Sequence, residues 1–342
     1  MKRILSILLS ALLLMGLVAC GQRRSAADDA VRIVGKYKVV LNDNDRKDEY
    51  PYMLQTENSV WYLAAADFDL MGEEAFYAGL EDILQYFEAD TADARAALSG
   101  RIWDEVPPVE IRTDFCGKAG VSQDAGAYYN GRANFIKLFH SWDMAKFALL
   151  HEYTHYLTVH CADKKMMQYF YMETVAEYVS KILCENRMLR SVDLYHTEQP
   201  QLSSLAQIWG DFDQVKYRNS CFTESDAYAQ GRYDGMPYLC VGQYTTYRWA
   251  NKRLPDHIYE LSYAEAMSLA LYLIEISSES VFLDNWDVAD EDKLAARFLN
   301  SFDMLSYPVT DAYEHLTQEL LSAWAAWNAQ QCEALGLRAE LP

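Results

Sequence analysis

The chain reads as an α+β protein, with strands gathered in the first half of the mature sequence and long helices in the second. Three observations predict this. Short runs rich in Val, Tyr and Trp recur in the first half, and apolar residues at helical spacing dominate the second. A hydrophobic content of 51% with 13% aromatic residues supplies enough apolar surface for a packed core, so disorder is excluded.

The first element lies outside the fold. Lys2 and Arg3 make a basic start, Ile4 to Val18 an apolar run, and Leu17-Val18-Ala19-Cys20 a small-residue close. The run is short for a bilayer-spanning helix of about 20 residues. Residues 1–20 resemble a bacterial lipoprotein signal peptide, which implies lipidation of Cys20 at the new N-terminus. A polar tether over residues 21–30 follows. The expectation is a protein outside the cytoplasm, held on a bacterial membrane by lipid on Cys20.

The mature chain divides into a mixed lobe, 31–140, and a helical lobe, 141–342, making one functional unit. Lys36–Leu41, Val60–Ala64 and Val109–Thr113 read as strands, the last following Pro107-Pro108. Glu73–Phe87 combines acids in its first turn with helical apolar spacing. Asn134–Leu138 is a further short strand. Helices are expected at Trp142–His160, Met166–Arg190, Tyr263–Glu279, Asp290–Phe302 and Asp311–Leu335, with Ser191–Leu261 irregular.

A formal net charge of −20 repels nucleic acid and anionic headgroups, so no DNA or RNA partner is expected. Of seven cysteines, Cys20 is expected to carry the lipid, which leaves Cys116, Cys161, Cys184, Cys221, Cys240 and Cys332 as thiols. An oxidising compartment permits disulfides, and Cys221 with Cys240, flanking a loop-like stretch, is the preferred pair.

The most specific feature is His151-Glu152-Tyr153-Thr154-His155 inside an apolar helical run. Histidines four apart project from one helix face and can share a single Zn²⁺. The glutamate between them lies beside the open metal position, where it can accept a proton from water. A third ligand is still required. A histidine six positions after His155 would be one solution, but Cys161 stands there. Glu173, on the next predicted helix within Met172-Glu173-Thr174-Val175-Ala176-Glu177-Tyr178, is another.

With that spacing the chain resembles a gluzincin zinc metallopeptidase, related to the aminopeptidase N and thermolysin groups, over roughly residues 125–335. The resemblance implies a zincin-like fold, with an edge strand before the zinc helix and one Zn²⁺ held by His151, His155 and Glu173. It implies Glu152 as general base and Glu177, one turn beyond Glu173, as the carboxylate that orients a metal-binding histidine. Tyr263, opening Tyr263-Ala264-Glu265-Ala266-Met267 before an apolar run ending in Tyr272-Leu273, aligns with the tyrosine that stabilises the oxyanion. Tyr244, Tyr247 and His257 are rivals for that role.

The family's aminopeptidases carry Gly-Ala-Met-Glu-Asn ahead of the zinc helix; here Gly126-Ala127-Tyr128-Tyr129-Asn130 puts Tyr129 where their amine-binding acid stands. A phenol holds an ammonium group poorly, which turns the expectation from an aminopeptidase toward an endopeptidase or an enzyme of blocked peptides. Asn134, Phe135, Ile136, Lys137 and Leu138 are expected to offer backbone groups to an extended peptide. Two other classes compete: a non-catalytic peptidase-like binding lipoprotein, and a zinc hydrolase of a glycan or cell-wall fragment.

Overall fold

The computed structural model describes residues 31–116, 126–163, 169–192, 212–227, 256–284 and 318–337. The expected signal peptide with Cys20, the expected tether, Cys240, Tyr244, Tyr247 and the helix expected at Asp290–Phe302 lie outside the described residues.

The architecture is α+β, a seven-stranded mixed sheet with helices packed on it. The strands are β1 (Val31–Val34), β2 (Tyr37–Leu41), β3 (Tyr52–Gln55), β4 (Ser59–Leu63), β5 (Val109–Thr113), β6 (Ala127–Asn130) and β7 (Phe135–Leu138), in the spatial order β1-β2-β3-β4-β5-β7-β6. The first four form an antiparallel meander; β4, β5 and β7 run parallel; β6 returns antiparallel to β7. In β4 and β5 burial alternates along the strand, with Trp61, Leu63, Val109 and Ile111 on the helix-covered face.

The β4–β5 crossover carries α1 (Ala65–Met71) and α2 (Glu73–Ala97). The apolar spacing used to place α2 stops at Phe87, whereas the helix continues to Ala97. Its last turns bury Asp90 and Thr91, polar residues that hide the core face from a hydrophobic pattern. Asp90 accepts from the backbone N–H of Arg187 and of Met188, at 2.9 and 2.8 Å, and so anchors a later helix.

After β7 the chain turns at His140, whose φ of 66° is left-handed, and enters α3 (Trp142–His155). Ser141 caps it, its hydroxyl accepting from Met144 N at 3.2 Å. The helix ends in a π-helical turn, Tyr156–His160. Next come α4 (Tyr169–Tyr178), a second π turn (Val179–Leu183) and α5 (Arg187–Arg190). Of the two unbroken helices expected here, the first ends in a wider turn and the second is interrupted by one, a feature that often marks functional sites.

The stretch expected to be irregular contains α6 (Gln214–Ala227) and the start of α7 (Asp256–Ile276). α6 buries Tyr217, Cys221 and Phe222 at helical spacing among polar residues, too sparse a stripe to read as amphipathic. α8 (Glu279–Leu283) and α9 (Gln318–Ala334) complete the described elements. One hydrophobic core runs from Val34 and Val39 through α2 and α3 to Leu273 and Trp324. No helix among the described residues is long and apolar enough to cross a membrane.

The strand expected to receive a peptide is displaced. β7 is paired on both sides, with β5 and β6, so Phe135–Leu138 has no free backbone groups, and Asn134 sits in the β6–β7 turn with φ of 56°. The edge strand is β6. A short apolar strand next to the helix looks like an edge in sequence, but Tyr128 and Tyr129 complete a hairpin outside it.

β6 lies directly against α3. A Cβ on Gly126 would stand 2.0 Å from the Met144 carbonyl oxygen, so only glycine fits at the start of the strand. Gly126→Val should cost about 1–3 kcal/mol, the usual penalty for forcing atoms into a packed interior. Thermal unfolding of the variant measures it; an unchanged melting temperature would contradict this contact.

Candidate metal centre

α3 and α4 pack side by side and bring three donors together. His151 and His155, one turn apart on α3, meet Glu173 of α4, and one ligand atom from each lies within 4.8 Å of the others. The Nε2 atoms of the two histidines are 3.0 Å apart. Glu173 Oε2 is 3.0 Å from His151 Nε2, and its Oε1 is 3.4 Å from His155 Nε2.

These separations test whether a cation fits. Tetrahedral zinc with N and O ligands at about 2.0–2.1 Å places its donors roughly 3.3 Å from one another. The His151–His155 separation and the shortest approach of Glu173 to each histidine, made through different carboxylate oxygens, fall near that value. Two imidazole nitrogens and a carboxylate turned inward at such distances form a donor set of the type that binds Zn²⁺. All three residues are buried, at 5%, 6% and 8% exposure, so a cation between them would be shielded from water on the protein side.

The imidazoles and carboxylates of the cluster shift one another's pKa. Burial acts to lower the His151 pKa, but Glu173 and Glu177 outweigh it and push it up to about 10. Burial acts to raise Glu173, and the charge of His155 with the hydrogen bond from His151 brings it well below the usual carboxylate range. A cation entering the site therefore competes with a proton on His151.

Glu177 lies behind the donors. It is 1% exposed, and its Oε1 stands 2.8 Å from His151 Nδ1, close but off the line of the ring N–H. Lys181, in the middle of the second π turn, donates to the same oxygen, and the Tyr217 hydroxyl of α6 donates to Oε2. Burial would raise the Glu177 pKa; Lys181 first and His151 second lower it to about 2. Nδ1 of His155 is buried and makes no hydrogen bond among the described residues.

Glu152 faces the edge strand. Its Oε2 accepts from the backbone N–H of Tyr129 at 2.7 Å. The Phe139 N–H donates to the Gly126 carbonyl, so alternation along the hairpin makes Tyr129–Ile136 a non-hydrogen-bonded pair. The main-chain groups of Ala127 and Tyr129 consequently point away from β7, toward α3 and the open edge. The Tyr129 phenol turns inward, donating to Asn134 Oδ1 at 2.9 Å, while Tyr128 is exposed.

Tyr263 is on α7, its ring edge-on to that of His151 with centroids 5.7 Å apart. His160, one residue off a third-histidine spacing, does not join the cluster; it stacks on Tyr156 and lies 3.2 Å from Asn134 Nδ2.

Comparison with family models, curated proteins and solved structures finds nothing similar to this chain, so the site stands on its own geometry.

The structure thus brings His151, His155, Glu173, Glu177, Glu152 and Tyr263 into one neighbourhood, and leaves Phe135–Leu138 inside the sheet with Asn134 in the turn before it. Sequence reasoning missed Lys181 and Tyr217. Lys181 is four residues after Glu177, a spacing that pairs opposite charges on one helix face. Nothing local announces Tyr217, whose element was taken for a loop.

Proposed function

We propose that the chain is a zinc-dependent metallopeptidase of gluzincin type that hydrolyses internal bonds of extended peptides. The observation that carries this is the convergence of His151, His155 and Glu173 next to Glu152, itself hydrogen-bonded to the outward N–H of the edge strand. A Zn²⁺ held by those three residues supplies a Lewis acid that makes water a stronger nucleophile and polarises a carbonyl.

The chain's own groups do the rest. Glu152 takes a proton from the attacking water as its oxygen bonds to the carbonyl carbon. It then returns that proton to the amide nitrogen as the C–N bond breaks. The phenol of Tyr263 donates to the oxygen on which negative charge develops. Ala127 offers its outward N–H and C=O, and Tyr129 its C=O, to a peptide added alongside β6. The N–H of Tyr129, donated to Glu152, ties the base to the strand beside which the substrate would lie.

The position of Tyr129 supports internal cleavage. Its side chain is 7% exposed and committed to Asn134, so it presents no negative charge for a free α-amine. We place the enzyme outside the cytoplasm on a bacterial membrane, anchored through lipid on Cys20, with peptide or protein substrates.

The test is incubation with a mixed library of N-terminally blocked and free peptides, followed by mass spectrometry. Cleavage should appear in both classes, cease with a chelator and return with added Zn²⁺. Absence of cleavage from a zinc-loaded protein would sink the proposal. Tyr263→Phe should lower kcat about 100-fold with KM little changed, as expected for one lost oxyanion donor.

A further inference from the structure

We propose that Tyr217 and Lys181 are positioning residues of the cation site, acting through Glu177 on the His151 ring. The inference rests on reading His151, His155 and Glu173 as a metal centre, and extends it to a third layer of side chains and a third helix.

Glu177 reaches His151 on the side of the ring opposite the other donors, Nδ1 against Nε2. A carboxylate in that place fixes which nitrogen faces the cation and how the ring is turned. It does so only if the carboxylate is itself fixed. Both of its oxygens are taken up: Lys181 Nζ donates to Oε1, and the Tyr217 hydroxyl to Oε2. Lys181 is further held with its Nζ 5.3 Å from the centroid of the Phe147 ring, one turn before His151 on α3. Glu177, Lys181 and Tyr217 are 1%, 3% and 1% exposed.

Such a trio is an expensive way to fill a core. Apolar side chains of similar volume would be as stable or more so, because burying a lysine and a glutamate removes both from water. What the polar arrangement provides, and an apolar one would not, is a directed carboxylate under the imidazole. The donors come from both sides, Lys181 from the π turn that follows α4 and Tyr217 from α6. The cation site is therefore built by α3 and α4 and trued by α6.

The experiment is titration of the full-length chain with Zn²⁺ and with Co²⁺ against a competing chelator, recording the visible spectrum of the cobalt form. Glu177→Gln, Tyr217→Phe, Lys181→Met, Lys181→Arg and the double variant Tyr217→Phe/Glu177→Gln are compared with wild type. Removing an outer partner of a metal-binding histidine typically weakens metal affinity by about 10–100-fold. Glu177→Gln should fall in that range, and Tyr217→Phe and Lys181→Met should lose about tenfold with an altered cobalt spectrum. Lys181→Arg should recover most of the loss. Tyr217→Phe should add little in the Glu177→Gln background, since both act along one path.

Tyr217→Phe deletes a single oxygen, so the fold persists and the comparison stands even if Lys181→Met unfolds. Wild-type affinity and an unchanged cobalt spectrum in Tyr217→Phe would overturn the proposal. So would an effect of Tyr217→Phe that adds in full to that of Glu177→Gln. Failure of the wild type to bind either metal is a different result, and would remove the metal reading itself.

Discussion

Glu152→Gln should leave the protein folded and metal-loaded while reducing peptide hydrolysis by about a thousandfold. Glutamine has the shape of glutamate, and its amide oxygen can still accept the Tyr129 N–H that Glu152 accepts at 2.7 Å. The contact between α3 and the edge strand is therefore kept. What is lost is the ability to take up a proton, a function that contributes about 10²–10⁴-fold in enzymes that use it. The loss should fall on kcat with KM little affected, because the donors and the strand edge are unchanged. Steady-state kinetics with elemental analysis on the same sample separates the two effects. Retained activity with bound zinc would mean that another group moves the proton, and Glu152 would become a strut of the hairpin.

The second large effect is expected at Glu173→Ala. Glu173 closes the triangle of donors, and no other carboxylate is grouped with the two histidines among the described residues. Two histidines one turn apart would remain, short of the three protein ligands usual for catalytic zinc. Affinity should drop by more than about 100-fold, beyond the range typical of losing an outer carboxylate. The variant also leaves His151 Nε2 without its carboxylate partner at 3.0 Å. Zinc per chain after dialysis against a weak chelator reads the outcome. One zinc retained in the variant would place the third ligand elsewhere in the chain.

How far the sequence foretold the arrangement depends on how local each signal is. His151, Glu152 and His155 are legible because a single helical turn relates them. Glu173 follows from a second motif on the next helix, where apolar neighbours Val175, Ala176 and Val179 set the buried face. Strands with alternating Val, Trp and Ile, such as β4 and β5, are found to within a residue. The errors lie where partnership is non-local. β7 was read as an edge because nothing within Phe135–Leu138 reveals that the hairpin folds β6 outside it. The last turns of α2 hide a core face behind Asp90, whose partners Arg187 and Met188 lie far along the chain. Tyr217 was invisible for the same reason, its partner Glu177 being on another helix.

The order of the strands has a consequence for how the protein is made. β1 to β4 are successive antiparallel neighbours, so local connections, the longest being 42–51, close each pairing as the chain emerges. The parallel pairs β4–β5 and β5–β7 must wait for long crossovers, the first of them carrying all of α1 and α2. Non-local pairings of this kind slow folding, and until they form, the outer edge of β4 stays open to other chains. The donors of α3 and α4 follow this slow step in sequence. A metal ion would thus meet a finished sheet and act as a late lock, stabilising the native state by mass action after the chain has already committed to its topology.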